Sequence, residues 1–320
     1  MSGLGAGTYQ IERIQSEAQF AAVRGPWSDL IAASHSHPAV FLTWEWVSTW
    51  CRHLDPNWES WLLAAWDGAG RLAGVLPWML VHHRYGPIRL DRLAFMGSNY
   101  AYRSHQDLLS RPGEGEAVWD AVMGYLAAHA AAWDVVDLEG LAQGSLLKEG
   151  LAGLGGLYRA NEPIDCPYTA LPSTWEAYEM QHLSANRRQQ IRARRRHLER
   201  DFPGQVAFKT VSDPAELPEA MAGLVDLHRK RWHGRGQASS FDVPSFLAFH
   251  RDLAEAALAR GWLRLYLLQV GPRLLAAEYC FLYDRVLFDY QKGMDPDPAW
   301  ERYSPGQLVL AYALQEAIRE

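Results

Sequence analysis

Three cysteines in 320 residues, Cys51, Cys166 and Cys280, are too few and too widely separated for a disulfide framework, and none forms the C-x-x-C pair typical of a zinc site. They read as buried thiols. No apolar run approaches the roughly 20 residues of a membrane-spanning helix. The longest uncharged stretch, 121–133, is short and alanine-rich. A basic region followed by an apolar one is missing at the N-terminus, so the expectation is a cytoplasmic protein with no membrane insertion. His82, His83, His182 and His197 lack ligand-like spacing with carboxylates or thiols, so no metal is expected. What remains is an ordinary globular composition, 48% apolar and 21% charged. The length suits two domains of about 150 residues each. Tryptophans cluster at Trp44, Trp46, Trp50, Trp58, Trp61, Trp66 and Trp78, which chiefly signifies core.

Charge is unevenly spread. Residues 184–200 hold seven arginines against one acid, Glu199, a local +6 in a chain of net charge −6, so the remainder sums to −12. Arg188, Arg192 and Arg196 recur at every fourth position and share a helix face, with Leu183, Ile191, Leu198 and Phe202 forming a thin apolar seam. Two readings are open: a solvated face answered by acidic loops, or an arginine fork for phosphate or carboxylate.

The chain also repeats itself. Residues 61–66 and 71–78 flank a tight turn at 67–70 and read as a hairpin; 262–269 and 273–280, joined at Gly271-Pro272, repeat the design about 200 residues later. Helix-like segments precede each hairpin, 44–53 and 244–260, the second closed by Gly261. Further strand signal follows at 90–96 and 106–109 in the first half and at 286–293 in the second, then helices at 114–132 and 304–320. Two copies of one α/β unit account for this order, the first ending on a strand at 133–139 and the join falling near 163–172.

The last segment is the most specific. In Tyr303-Ser304-Pro305-Gly306-Gln307, Ser304 suits an N-cap, Pro305 the first helical position, and Gln307 completes a capping box. Gly306 needs another reason, because glycine in a first turn costs roughly 0.5–1 kcal/mol against alanine. Close approach of an anion to bare amides supplies one. A second capping box is expected at Asp213-Pro214-Ala215-Glu216, opening a helix over 214–232 that ends in His228, Arg231 and Trp232 before a Gly234-Arg235-Gly236 loop.

Hairpin, strand, then a helix with glycine in its first turn resembles the acyl-CoA-binding core of the GNAT acetyltransferase superfamily. Four segments narrow the resemblance to CelD-like acetyltransferases associated with cellulose and exopolysaccharide clusters: Trp175-Glu176-Ala177-Tyr178, Leu227-His228-Arg229-Lys230-Arg231-Trp232, Leu275-Ala276-Ala277-Glu278, and Tyr290-Gln291-Lys292-Gly293-Met294-Asp295-Pro296 running to Gly306. More distantly the chain is similar to FemX-like aminoacyltransferases, likewise two fused GNAT-like units. The resemblance implies an α/β (α+β) fold of two tandem GNAT-like units, each a mixed, mostly antiparallel sheet flanked by helices. Residues 1–165 would form a unit without cofactor, and 166–320 a unit with the arginine-rich helix and the acyl-CoA site.

On that reading the co-substrate is acyl-CoA, with acetyl-CoA the usual form, and its anionic end would meet Lys292, Tyr303, Ser304, Gly306 and Gln307. Familiar GNAT enzymes carry two glycines in this loop, whereas here only Gly306 stands and Pro305 removes an amide. Glu278, in an apolar strand, either pairs with an arginine such as Arg231 or Arg302 or serves as general base. Asp289 and Tyr290 alternate, so one of them faces the cleft; Tyr290 would assist the carbonyl or the departing thiolate. The acceptor, a sugar, cell-envelope precursor or small amine, would meet Arg188, Arg192, His228, Arg231, Trp232, Tyr102 and His105. Three functions follow: an acyl-CoA-dependent N- or O-acyltransferase; an aminoacyltransferase using aminoacyl-tRNA; or a binding protein that has kept the fold and lost the cofactor. Other nucleic acid is not expected, since one basic helix in an acidic chain is a small footprint for phosphate backbones.

Overall fold

The computed structural model describes residues 9–34, 40–98, 106–141, 144–152, 159 and 165–320. They pack as two compact units, Met1–Cys166 and Pro167–Glu320.

In the first unit, strand β1 (Gln10–Ile14) leads into helix α1 (Glu17–Ala33). A capping box starts α1: Ser16 accepts from the Gln19 amide and the Gln19 side chain returns to the Ser16 amide. This helix is not among the sequence expectations, although Ser16-x-x-Gln19 is its legible signal. Helix α2 (Trp44–Arg52) is capped by Thr43 and buries Trp46 and Trp50. Strands β2 (Trp58–Trp66), β3 (Leu72–Tyr85) and β4 (Ile88–Phe95) form the antiparallel centre of a sheet ordered β1-β2-β3-β4-β6, with β5 (Leu109–Ser110) on β3. Helix α3 (Gly115–Ala128), strand β6 (Val135–Val136) and helix α4 (Leu146–Ala152) complete the unit. Because β6 runs parallel to β4, the sheet is mixed. The strands expected at 106–109 and 133–139 shrink to two residues each.

The second unit opens with helices α5 (Trp175–His182) and α6 (Ala185–Asp201), capped by Thr174 and Ser184. Strand β7 (Val206–Thr210) and helices α7 (Leu217–His233) and α8 (Pro244–Ala259) follow. Then come β8 (Leu263–Val270), β9 (Arg273–Tyr283), β10 (Val286–Met294), the short α9 (Pro298–Glu301) and α10 (Pro305–Arg319). The sheet, ordered β10-β9-β8-β7, is antiparallel throughout. Helix α7 begins three residues later than expected and without a capping box. Asp213 instead accepts from the Ala215 amide at 2.8 Å, an Asx turn that places Pro218 at a tolerated first-turn position.

Register assigns the faces of this sheet, since directly paired residues lie on the same side. Tyr266 opposes Glu278, and Glu278 opposes Lys292; Ala276 opposes Met294, and Cys280 opposes Asp289. This is the side on which Leu308, Val309 and Ala313 of α10 pack with Tyr266, Leu268, Ala276 and Cys280. The other side lies under α7, so closely that a Cβ on Gly293 would sit 2.7 Å from Leu227 Cβ and 3.0 Å from the Leu224 carbonyl oxygen. The cysteine expectation needs correcting: Cys280 is buried, Cys51 is half-buried and Cys166 is exposed, in a stretch where most side chains face solvent.

Candidate active site

Glu278 has 1% of its surface exposed, and the other buried β9 residues, from Leu275 to Phe281, are hydrophobic. Neither arginine considered from sequence is its ion-pair partner. Its partner is Lys292, directly across the β9–β10 ladder, whose Nζ donates to Glu278 Oε1 at 3.1 Å and to Asp289 Oδ2 at 2.7 Å. Burial pushes the Glu278 carboxyl up to about 8, the Asp289 charge adds to the rise, and Lys292 offsets part of it. Burial alone would lower Lys292, yet the two carboxylates outweigh it and hold its ammonium above the usual lysine range. Glu278 and Asp289 thus share one ammonium ion.

Asp289 and Lys292 reach the same side of the sheet through a bulge. Asp289 pairs with Cys280 and Gln291 with Tyr279, leaving Tyr290 as the extra residue. The alternation expected of Asp289 and Tyr290 holds, and it puts Tyr290 on the far side. There it packs against the rings of Tyr279, Phe281 and His250, and its hydroxyl lies 3.3 Å from His250 Nε2. His250 is wholly buried, and desolvation drops it to about 3, so it is neutral. Asp289 and Tyr290 therefore do not share a site.

His228, Arg231 and Trp232 lie at the end of α7. The Trp232 indole N–H, a donor only, bonds His228 Nε2 at 3.0 Å, so the proton sits on Nδ1, which donates to Ser239 Oγ at 2.8 Å. Desolvation lowers this ring to about 4. Both its nitrogens are committed, which makes His228 a brace between α7 and the 239–242 turn. Arg231 has a buried Nε with no hydrogen-bond partner among the described residues, and burial lowers its guanidinium from the usual range. Tyr102 and His105 fall outside the described residues.

The start of α10 differs from the sequence reading. Ser304 adopts a left-handed conformation, φ 48°, and makes no side-chain cap. Its carbonyl accepts from the Gln307 and Leu308 amides at 2.9 and 3.3 Å, while its hydroxyl donates to the Glu301 carbonyl. Gln307 does not close a capping box either, because its side-chain oxygen accepts from Arg194 of α6. With Pro305 lacking an N–H, Gly306 presents the first-turn amide without a backbone partner among the described residues. A Cβ there would meet Met294 Sδ at 3.1 Å. Met294 shares a sheet side with Lys292, two residues or roughly 7 Å away along the strand, so the first turn of α10 sits on the sheet side that carries the Glu278–Lys292 pair. Tyr303 is buried and donates to Asp201 at 2.7 Å, bonding α10's entry to the end of α6.

Helix α6 distributes its arginines among partners. Arg188 donates to the Glu179 and Leu183 carbonyls at 3.2 and 2.6 Å, Arg192 pairs with the Glu179 carboxylate, and Arg195 reaches Glu199 at 2.9 Å. Arg194 lies off that row, on the side facing α10, where a four-residue periodicity does not single it out. An open crevice of about 690 Å³ follows the row, lined along one face of α6 by Ala185, Arg188, Gln189, Arg192, Arg195, Arg196 and Glu199. Among the described residues no group of three His, Cys, Asp or Glu is placed to hold a metal, and no helix is long and apolar enough to cross a membrane.

Residues 185–320 match a family model described as an acetyltransferase (GNAT) domain. Among solved structures, FemX superposes at a TM-score of 0.56 with 10% identity, covering 96% of this chain and 85% of that one. A conserved protein of unknown function from Bacteroides thetaiotaomicron gives 0.46 at 10% identity, covering 98% and 96%. The C-terminal (DUF2156) domain of a putative lysylphosphatidylglycerol synthetase from Agrobacterium fabrum gives 0.41 at 12%, covering 93% and 76%. At such identities the match to FemX is a likeness of fold. No curated protein matches the chain.

Proposed function

We propose that the C-terminal unit transfers an acyl group, acetyl in the simplest case, from a CoA thioester to an amine or hydroxyl of a sugar, cell-envelope precursor or small metabolite. The observation that carries this reading is a buried carboxyl, Glu278, paired with the half-exposed Lys292 on the same sheet side as a glycine-opened helix start, inside the segment that matches the GNAT model. Strand β10 pairs with β9 alone among the described residues, so its other edge offers unpaired peptide groups to an extended ligand. The donor's anionic end would sit at the Gly306 amide, with Arg194 supplying positive charge beside Gln307.

In the transfer, ionised Glu278 takes the proton of the acceptor, whose nitrogen or oxygen attacks the thioester carbonyl. The carbon–sulfur bond then breaks, and the thiolate leaves and is protonated. Lys292 and Asp289 set the charge around Glu278. The N-terminal unit carries no donor in this reading, since the start of its α3 is acidic: Glu114 accepts from Tyr9 and Arg71, and Glu116 follows. An aminoacyl-tRNA donor is the second reading, favoured by the FemX likeness over 96% of the chain and by the basic α6.

The discriminating measurement is thermal stability in the presence of acetyl-CoA, CoA or aminoacyl-tRNA. A donor at a hundredfold its Kd adds about 2.7 kcal/mol. A shift with CoA ligands supports the first reading; a shift with aminoacyl-tRNA alone replaces it by the second. Gly306→Val should fold normally, because only the flexible end of Met294 must yield, yet raise the KM for the thioester by about tenfold through loss of access to the amide. Unchanged kinetics would remove the donor from this helix start.

A further inference from the structure

Successive residues of a helix are turned by about 100°, so Arg194, which bonds the first turn of α10, lies roughly 120–160° round α6 from Arg188, Arg192 and Arg196. The crevice along that row therefore faces away from the start of α10, and a ligand in it is not the group bound at Gly306. The row spans about 12 Å from Arg188 to Arg196. Two of its guanidiniums are held by Glu179, 2% exposed, which anchors Arg192 with its carboxylate and Arg188 with its carbonyl; beside them Glu199, on the same face, holds Arg195 through Nε. Each guanidinium has five N–H groups and spends only part of them on these contacts. Arg196 makes no side-chain hydrogen bond or ion pair with any described residue and is exposed. The carboxylates nearby are Glu179 and Glu199, with Glu176 within electrostatic reach of Arg192, so Arg188, Arg192, Arg195 and Arg196 keep an excess of one positive charge.

We infer that this outward crevice of α6 is a second anion site, built for a small organic diphosphate and separate from the donor's. One carboxylate occupies a single guanidinium fork, whereas pre-positioned forks spread along the helix match a ligand with two phosphoryl groups. A nucleic acid fits less well, because the chain beyond 184–200 sums to −12 and would repel an extended backbone. The inference does not rest on acyl transfer and stands or falls separately from it.

Calorimetric titration of the full chain with inorganic diphosphate tests it, with a nucleoside diphosphate and a short-chain prenyl diphosphate in parallel arms to separate nucleotide-linked from lipid-linked sources. Binding should weaken as NaCl rises from about 50 to about 300 mM, since exposed charges are screened. Arg196→Ala, which breaks no internal contact, should cost several-fold in affinity, and Arg192→Ala with Arg196→Ala on the order of tenfold. Glu179→Gln should also weaken binding by releasing Arg192; circular dichroism identifies any unfolded variant, in which case Arg196→Ala decides. Gly306→Val, altered at the donor's helix start, should leave the Arg196-dependent diphosphate affinity unchanged. Absence of binding at low salt, indifference to Arg196→Ala, loss of binding in Gly306→Val, or binding only of a single-stranded RNA 20-mer would each overturn the proposal.

Discussion

Glu278→Gln is expected to lower kcat for acyl transfer by about 10²–10⁴-fold, the usual contribution of a positioned general base, with little change in donor KM. Glutamine keeps the shape and a hydrogen bond to Lys292 while removing the proton acceptor. The pH profile carries a second signature. In the proposed transfer Glu278 would act as a base only when ionised, and burial holds its carboxyl up at about 8, so the wild-type rate should climb with pH through that value to a plateau. Stability runs the other way. Between the unfolded carboxyl range and about 8 the native state holds a proton that the unfolded chain has released, so the contribution of this group to folding falls as pH rises through that window. Melting curves of wild type and Glu278→Gln at pH 5 and pH 8 check the sign: the wild type should lose ground to the variant on going up. A variant with wild-type kcat would remove Glu278 from the chemistry.

Gly293→Val is expected to give the largest loss of stability. The Cβ would collide with backbone as well as side chain, lying 3.0 Å from the Leu224 carbonyl oxygen and 3.2 Å from the His228 amide nitrogen, so α7 must move off β10. Overpacking of this kind costs about 1–3 kcal/mol, and for a unit of this size the melting temperature should fall by roughly 4–10 °C. Displacing α7 also disturbs the His228–Trp232–Ser239 brace. Gly306→Val is the control, since the atom it meets is a flexible sulfur. A Gly293→Val protein melting like the wild type would mean that α7 and β10 are not closely packed in solution.

Much of the architecture was legible from local signals. Both hairpins, the helices around 44–53 and 244–260, and the terminal helix follow from turn residues, caps and apolar runs. The short strands β5 and β6 were overdrawn, because pairing with a neighbour ends a strand and no local residue marks that point. Helix α1 has a legible start in its Ser16–Gln19 capping box, yet Pro26 interrupts its helical pattern. Of the site, Glu278 stood out as an acid in an apolar run, but its partner did not. Lys292 lies 14 residues away and meets it only through the β9–β10 register. Nor could sequence show that Ser304 would turn left-handed and give up capping, because that depends on the Glu301 carbonyl and on Arg194, 113 residues from Gln307.

Composition, periodicity and turn chemistry by themselves determined a globular α/β chain with a duplicated hairpin design, a basic helix and a glycine at the head of the last one. These are properties of short segments, and short-range sterics and hydrophobic patterning encode them directly. Tertiary structure alone decided which carboxyl shares an ammonium, which side of the sheet Asp289 and Tyr290 face, and which way each arginine of α6 points. Those depend on strand register, one bulge and helix docking, where groups distant in sequence become neighbours and burial changes their charge.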